Sequence, residues 1–277
     1  MLSINDHRRD SAGMRYIYPV LSRRAGGVSI GINLNVNNAC NWACIYCQVP
    51  DLKRGGPPEV DLPGLEAELH DFLQATISGD FLKNNAPEGF QRVVDVAFSG
   101  NGEPTSAPEF PEAVDAVARQ LNAVGLLDCI KIRLITNGSL MSHTHVQRGI
   151  ARIGELGGEV WFKIDRGSAS EMFRVNGTRT TPARVRKAIS TCARLAPTWV
   201  QTCLFSIDGR PVDSVEFDAY LDLIASIRQE IQGVHLYGLA RPSLQPDAKR
   251  LSALSAESLF SFAERIAAHG IEVVTSP

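Results

Sequence analysis

Seven short runs of apolar and β-branched residues alternate with amphipathic stretches, and this alternation constrains the fold more than any other feature. The runs cover residues 28–36, 93–99, 130–136, 160–164, 199–205, 234–239 and 271–275. Strands separated by helical crossovers lie parallel, because a parallel neighbour needs a long connection. Between the runs, Leu65, Leu69, Phe72 and Leu73 share one helical face. Tyr220, Leu223, Ile224, Ile227 and Ile231 share a second, and Leu259, Phe262, Ala263 and Ile266 a third. Asp61 with Pro63, and Thr181 with Pro182, have the chemistry of helix starts. Six strand–helix units plus a trailing strand are too many for a small doubly wound sheet and too few for a closed eight-stranded barrel. The expected class is α/β: an incomplete parallel (βα)6 barrel, or partial TIM barrel, with a trailing strand.

A chain of 277 residues with no repeat, low-complexity tract or linker is expected to form a single domain over 1–277. Residues 1–27 are expected to be an N-terminal extension packing on the barrel. No stretch approaches the roughly 18 apolar residues of a membrane span, and MLSINDHRRD has no apolar signal core, so a cytoplasmic protein with no membrane partner is expected. The net charge of -2 gives no general attraction for polyanions, leaving only the small clusters Arg8-Arg9, Arg23-Arg24 and Lys53-Arg54 for nucleic acid.

The unusual residues fall at one end of the predicted strands. A cysteine loop follows the first strand, SGNGEP the second, TNG the third, DRG the fourth and ARP the sixth. These are C-terminal strand ends, where α/β folds bind ligands, so one site assembled from several loops is expected. In the cysteine loop Cys40, Cys44 and Cys47 stand as C-x3-C-x2-C, a spacing that lets three thiolates surround one metal centre. Zinc would ask for a fourth ligand, yet Cys129, Cys192 and Cys203 stand apart and no histidine lies within twenty residues of the loop. A catalytic thiol would need a base, and His70 and His235 read as ordinary helix and strand residues. An iron–sulfur cubane on three thiolates keeps one iron open for a small molecule's amino and carboxylate groups.

These residues resemble the radical S-adenosylmethionine superfamily, whose loop C-x3-C-x-φ-C stands here as CNWACIYC with Tyr46 at the aromatic place. The resemblance implies a 4Fe-4S cluster on Cys40, Cys44 and Cys47. It further implies that S-adenosylmethionine binds at the open iron and yields a 5'-deoxyadenosyl radical that abstracts a substrate hydrogen. The family's GGEP motif is similar to Gly100-Asn101-Gly102-Glu103-Pro104, with Asn101 inserted, which leaves open which glycine meets the ligand. ITNG (135–138) is similar to the family's TNG turn, and KID (163–165) stands where Lys163 or Asp165 holds the ribose or the methionine carboxylate. The ligand's chemistry then calls on Gly100 and Gly102 for close approach, Glu103 for the ammonium, Lys163 for the carboxylate, and Asn137 with Gln201 for the sugar and base. Asn101 and Arg241, at the same strand ends, are the candidate substrate contacts.

The resemblance also implies an electron donor such as flavodoxin or ferredoxin. The run PVLSRRAGGVSIGINL is loosely similar to the branch of wyosine-synthetase-like Fe-S oxidoreductases that modify transfer RNA. Activating enzymes that place a glycyl radical on a protein share the TNG turn. The substrate is therefore left open among a small molecule, tRNA and a protein. The competing reading, from a different class, is a zinc-binding nucleic-acid module without catalysis.

Overall fold

A computed structural model describes Leu2 and residues 13–22 and 26–277; Arg8-Arg9 and Arg23-Arg24 lie outside the described residues. Eight strands build the main sheet: β1 (Ile17–Ser22), β2 (Gly27–Asn33), β3 (Val93–Ser99), β4 (Lys131–Thr136), β5 (Glu159–Lys163), β6 (Thr198–Cys203), β7 (Gly233–Tyr237) and β8 (Val273–Ser276). They are hydrogen-bonded in chain order, with β2 to β8 parallel and β1 antiparallel to β2. Strand order never reverses, so right-handed crossovers place the connecting helices on one face of the sheet.

Strand alternation divides the side chains between the two faces. Ile30, Ile32, Val96, Phe98, Leu134, Val160, Val200 and Leu236 are fully buried in the main core with the helices. The other face curls into a trough, so that Tyr18, Gly31, Ala97, Arg133, Trp161, Gln201, Tyr237 and Ser276, one from each strand, line a single cavity of about 380 Å³. The sheet stays open, with β1 and β8 at its edges. This is the expected partial barrel, and all seven predicted strands are present in it.

Strand β1 falls within the stretch expected to be an N-terminal extension. Pro19 in YIYPVLS argues against a strand, but β1 is an edge strand, where a residue without an N–H is tolerated. The two helix starts form as read. The Asp61 side chain accepts from Gly64 N ahead of the helix Leu62–Ile77, and Thr181 accepts from Arg184 N ahead of Pro182–Ala193. The second predicted face runs past its helix: Ser214–Ala225 ends before Ile227 and Ile231, which are nonetheless buried.

On the concave face β3, β4 and β5 carry a charge network that local sequence does not reveal. Arg133 donates to Asp95 and, at 2.7 Å, to Glu159, while Lys131 and Trp161 Nε1 also donate to Glu159. Removing the shared cation leaves the buried Asp95 carboxylate without a countercharge, while Glu159 keeps Lys131 and Trp161. Arg133→Met is therefore expected to destabilise the fold by about 3–5 kcal/mol in urea unfolding. A loss under about 1 kcal/mol, the range of exposed pairs, would contradict this.

Candidate functional site

The cysteine loop begins where β2 stops, in a run of asparagines. Asparagine side chains readily bond their own backbone and tolerate the left-handed region. Here Asn33 Oδ1 accepts from Asn35 N, Asn37 Oδ1 accepts from Ala39 N, and Asn38 sits at φ +58°. The loop is closed at its base by parallel pairing of Ala39-Cys40 with Lys53-Arg54. Two distant segments clamp it. The end of the helix Ala169–Asn176 accepts Ala43 N at Asn176 O (3.0 Å) and Ile45 N at Val175 O (2.9 Å). On the other side Ser243 Oγ donates to Ile45 O (2.7 Å), Leu244 N to Cys47 O (3.0 Å) and Gln245 Nε2 to Val49 O (2.7 Å). The Arg54 guanidinium ties the loop to the helix by donating to Asn41 O and Gly177 O.

Cys40, Cys44 and Cys47 are free thiols that line the cavity of the concave face. Burial pushes the Cys40 thiol up to about 11 and the Cys44 thiol up to about 12. Both sulfurs accept hydrogen bonds at 3.4 Å, Cys40 from Trp42 N and Cys44 from Asn176 Nδ2. Cys129 is exposed elsewhere and Cys192 lies in the helix-side core, but Cys203 faces the same cavity from the end of β6.

Glu103 lines the cavity and is 2% exposed. Its Oε1 accepts from Thr105 Oγ1 (2.7 Å), Thr105 N (3.2 Å) and Thr136 Oγ1 (2.6 Å), whereas among the described residues Oε2 accepts only from Asn137 N (2.6 Å). Burial raises its pKa above the usual carboxylate range despite these donors. A carboxylate offers about four lone-pair positions, so Oε2 retains acceptor capacity. The two motif glycines are required by protein contacts. A Cβ on Gly102 would lie 2.1 Å from Ala39 O, and one on Gly100, at φ +123°, 2.5 Å from Asn33 Oδ1. Both glycines thus let the motif press against the cysteine loop.

Two predicted ligand contacts also bind that loop. Asn101 donates from Nδ2 to Asn38 Oδ1 (2.7 Å), and Asn137 donates from Nδ2 to Asn41 Oδ1 (2.8 Å) while its Oδ1 accepts from Ser139 N. Both line the cavity as well.

Lys163 and Asp165 part company. Lys163 ends β5 facing the cavity, with Nζ donating to Tyr237 Oη (3.2 Å) and lying 5.1 Å from the Tyr46 ring centre. Burial works against its charge, but Tyr237, Asp165, Cys44 and Cys203 together raise its pKa above the usual lysine value. Asp165 is absent from the cavity lining. Its carboxylate accepts from Tyr46 Oη and Asn176 Nδ2 (2.7 Å) at Oδ2 and from Cys203 N (2.9 Å) at Oδ1. β5 ends at Lys163, so strand parity no longer governs residue 165.

Gln201 is 4% exposed, lines the cavity, and its side-chain amide has no hydrogen-bond partner among the described residues. Arg241 lines the cavity, and its carbonyl accepts from Gln48 Nε2 at 3.4 Å. Asn176, Ser243 and Gln245 were not legible as site residues. Only the Asn-Gly pair at 176–177, a helix C-terminal signal that does place Gly177 at φ +62°, pointed to the first.

An open parallel barrel with a three-cysteine loop after its first parallel strand defines a class of protein that other chains share. The profile of the Radical SAM superfamily matches residues 34–224, and the chain belongs to that superfamily of enzymes. Over 134 residues it is 32% identical to a UPF0026 protein of Helicobacter pylori strain J99, a match covering 48% of this chain and 37% of that protein. The chain thus spans little more than a third of the length of this relative. Among solved structures it is similar to a radical SAM methyltransferase from Sphaerobacter thermophilus, with TM-score 0.59, 14% identity, and coverage of 93% of this chain and 68% of that one. It is also similar to Streptococcus suis SuiB bound to S-adenosylmethionine, with TM-score 0.53, 12% identity, and coverage of 91% and 47%. At these identities the likeness concerns the fold. No helix among the described residues is long and apolar enough to cross a membrane.

Proposed function

We propose that Cys40, Cys44 and Cys47 hold a 4Fe-4S cluster with one iron free of protein ligands, and that S-adenosylmethionine binds beside it in the barrel cavity. The observation that carries this reading is the convergence of three free thiols from one clamped loop with Glu103, Lys163 and Gln201 on one cavity at the C-terminal strand ends. The donor set fits the group: three thiols are soft ligands suited to iron–sulfur chemistry, and Cys40 and Cys44, whose pKa burial raises, keep their protons until a cationic metal centre displaces them. A single zinc needs four donors around one point. Among the described residues no fourth His, Cys, Asp or Glu joins the three loop cysteines as a group placed around one ion.

Bound together, the two groups supply one-electron cleavage of a sulfonium and a carbon-centred radical able to abstract hydrogen. The chain's own residues then bind and orient. Glu103 accepts the ligand ammonium at Oε2, Lys163 pairs with the carboxylate, and the unpartnered Gln201 amide bonds the nucleoside. Tyr46, pinned by Asp165, packs against Lys163 and fixes the ammonium's position. A flavodoxin or ferredoxin supplies the electron, and the protein acts in the cytoplasm.

Anaerobic reconstitution is expected to give about four iron and four sulfide per chain and reductive cleavage of S-adenosylmethionine. Bound zinc without sulfide would refute the reading. Glu103→Gln is expected to keep the iron and weaken S-adenosylmethionine binding about 10- to 100-fold, the worth of a charged hydrogen bond. Unchanged affinity in equilibrium dialysis would remove Glu103 from the site.

A further inference from the structure

The stretch 172–194 carries six basic residues, Arg174, Arg179, Arg184, Arg186, Lys187 and Arg194, and no acidic one, in a chain whose net charge is -2. All six are exposed. Arg174 pairs with Glu171, and none of the others forms an ion pair with a described residue. Most basic runs are merely solvated, but the position of this one is specific. It begins on the helix whose last residues accept Ala43 N and Ile45 N and whose Asn176 donates to Cys44 Sγ. It also includes an apolar contact point: Phe173 is 53% exposed, with the Arg179 guanidinium 5.8 Å from its ring centre.

The following helix, Pro182–Ala193, buries Val185, Ile189 and Cys192 in the core on the convex side of the sheet, so its basic residues face away from the cavity. The basic stretch meets the cysteine loop at its start, where a Cβ on Gly177 would lie 3.0 Å from Ala43 O, and its second helix lies on the opposite side of the sheet from the cavity where a substrate must react. That placement suits a donor of electrons better than a substrate.

We propose that this convex basic face is the docking surface for an acidic one-electron carrier protein of the flavodoxin or ferredoxin type, which passes its electron to the cysteine loop through the Asn176–Gly177 turn. The inference rests on the reading that the loop holds a redox cluster: the carrier loses one electron, the cluster gains it, and no proton or group is transferred. Charge complementarity of this kind raises association rates by about 10- to 1000-fold and fades as salt shortens the Debye length.

The test uses the full chain and a triple variant, Arg179→Glu, Arg184→Glu and Lys187→Glu, with the matching triple glutamine variant as a milder control for folding. Binding of dye-labelled flavodoxin is followed by fluorescence anisotropy, and cluster reduction by stopped-flow absorbance. At low ionic strength the charge-reversed protein is expected to bind at least about tenfold more weakly and to be reduced correspondingly more slowly. The glutamine variant is expected to fall between it and the wild type, and all three to converge at high salt. Reduction by dithionite is expected to be the same in all three. Equal flavodoxin affinity across the three proteins would overturn the proposal. Equal flavodoxin affinity with lost tRNA binding would overturn it in favour of a nucleic-acid surface. The binding arm needs no cluster. A wild type that takes up no iron yet binds flavodoxin in a salt- and charge-dependent manner upholds the surface while refuting the cluster.

Discussion

Cys44→Ser is expected to leave a folded protein that takes up almost no cluster iron and cleaves no S-adenosylmethionine. The substitution barely changes volume, and the hydroxyl can still accept from Asn176 Nδ2, so the loop's clamps at Asn176, Val175, Ser243 and Gln245 stay in place. What is lost is ligand chemistry, because clusters of this kind are held by soft thiolate ligands. With only three loop thiols to begin with, the loss of one leaves too few to retain a cubane, and iron is expected to fall from about four per chain to near zero. Cys203 provides the contrast, since it faces the same cavity from β6. Cys203→Ala is expected to keep its full iron and sulfide content. Iron retained in Cys44→Ser, or lost in Cys203→Ala, would reassign the ligand set.

Asp165→Ala is expected to destabilise the metal-free protein by about 3–5 kcal/mol, a large share of the roughly 5–15 kcal/mol that holds a domain together. Its carboxylate accepts from Tyr46 Oη, Asn176 Nδ2 and Cys203 N in the interior, and truncation leaves three buried donors without an acceptor. An unsatisfied buried donor costs about 1–3 kcal/mol. Asp165→Asn keeps one acceptor oxygen and is expected to lose about half as much. Urea unfolding before reconstitution separates this effect from any contribution of bound metal. Because Tyr46 and Asn176 flank Cys44, the alanine variant is also expected to reconstitute with less iron. A destabilisation under 1 kcal/mol would show that Asp165 does not brace the loop.

Much of the fold is written in local pattern. The alternating runs specify β2 to β8, the Asp61 and Thr181 signals specify two helix starts, and the number of strand–helix units points to an incomplete barrel rather than a small doubly wound sheet. β1 escaped because Pro19 weakens its local signal and its partner is chosen by sheet closure at an edge. In the site, the spacing of Cys40, Cys44 and Cys47 and the Gly102-Glu103 pair are short-range features, legible because chemistry demands those residue types close together. Asn176 and Ser243 lie 132 and 198 residues from the loop atoms they hold, and nothing in their own neighbourhoods announces the partner.

By itself, then, the sequence determined the periodicities, the caps and the thiol spacing, because each depends on residues a few positions apart. Only the tertiary structure decided that Lys163 faces the cavity while Asp165 braces the loop behind Tyr46, that both motif glycines answer to protein contacts, and that Cys203 shares the cavity with the three loop thiols. The reason is geometric: where a strand ends and how the sheet curls decide which way a side chain points, and both depend on packing between distant parts of the chain.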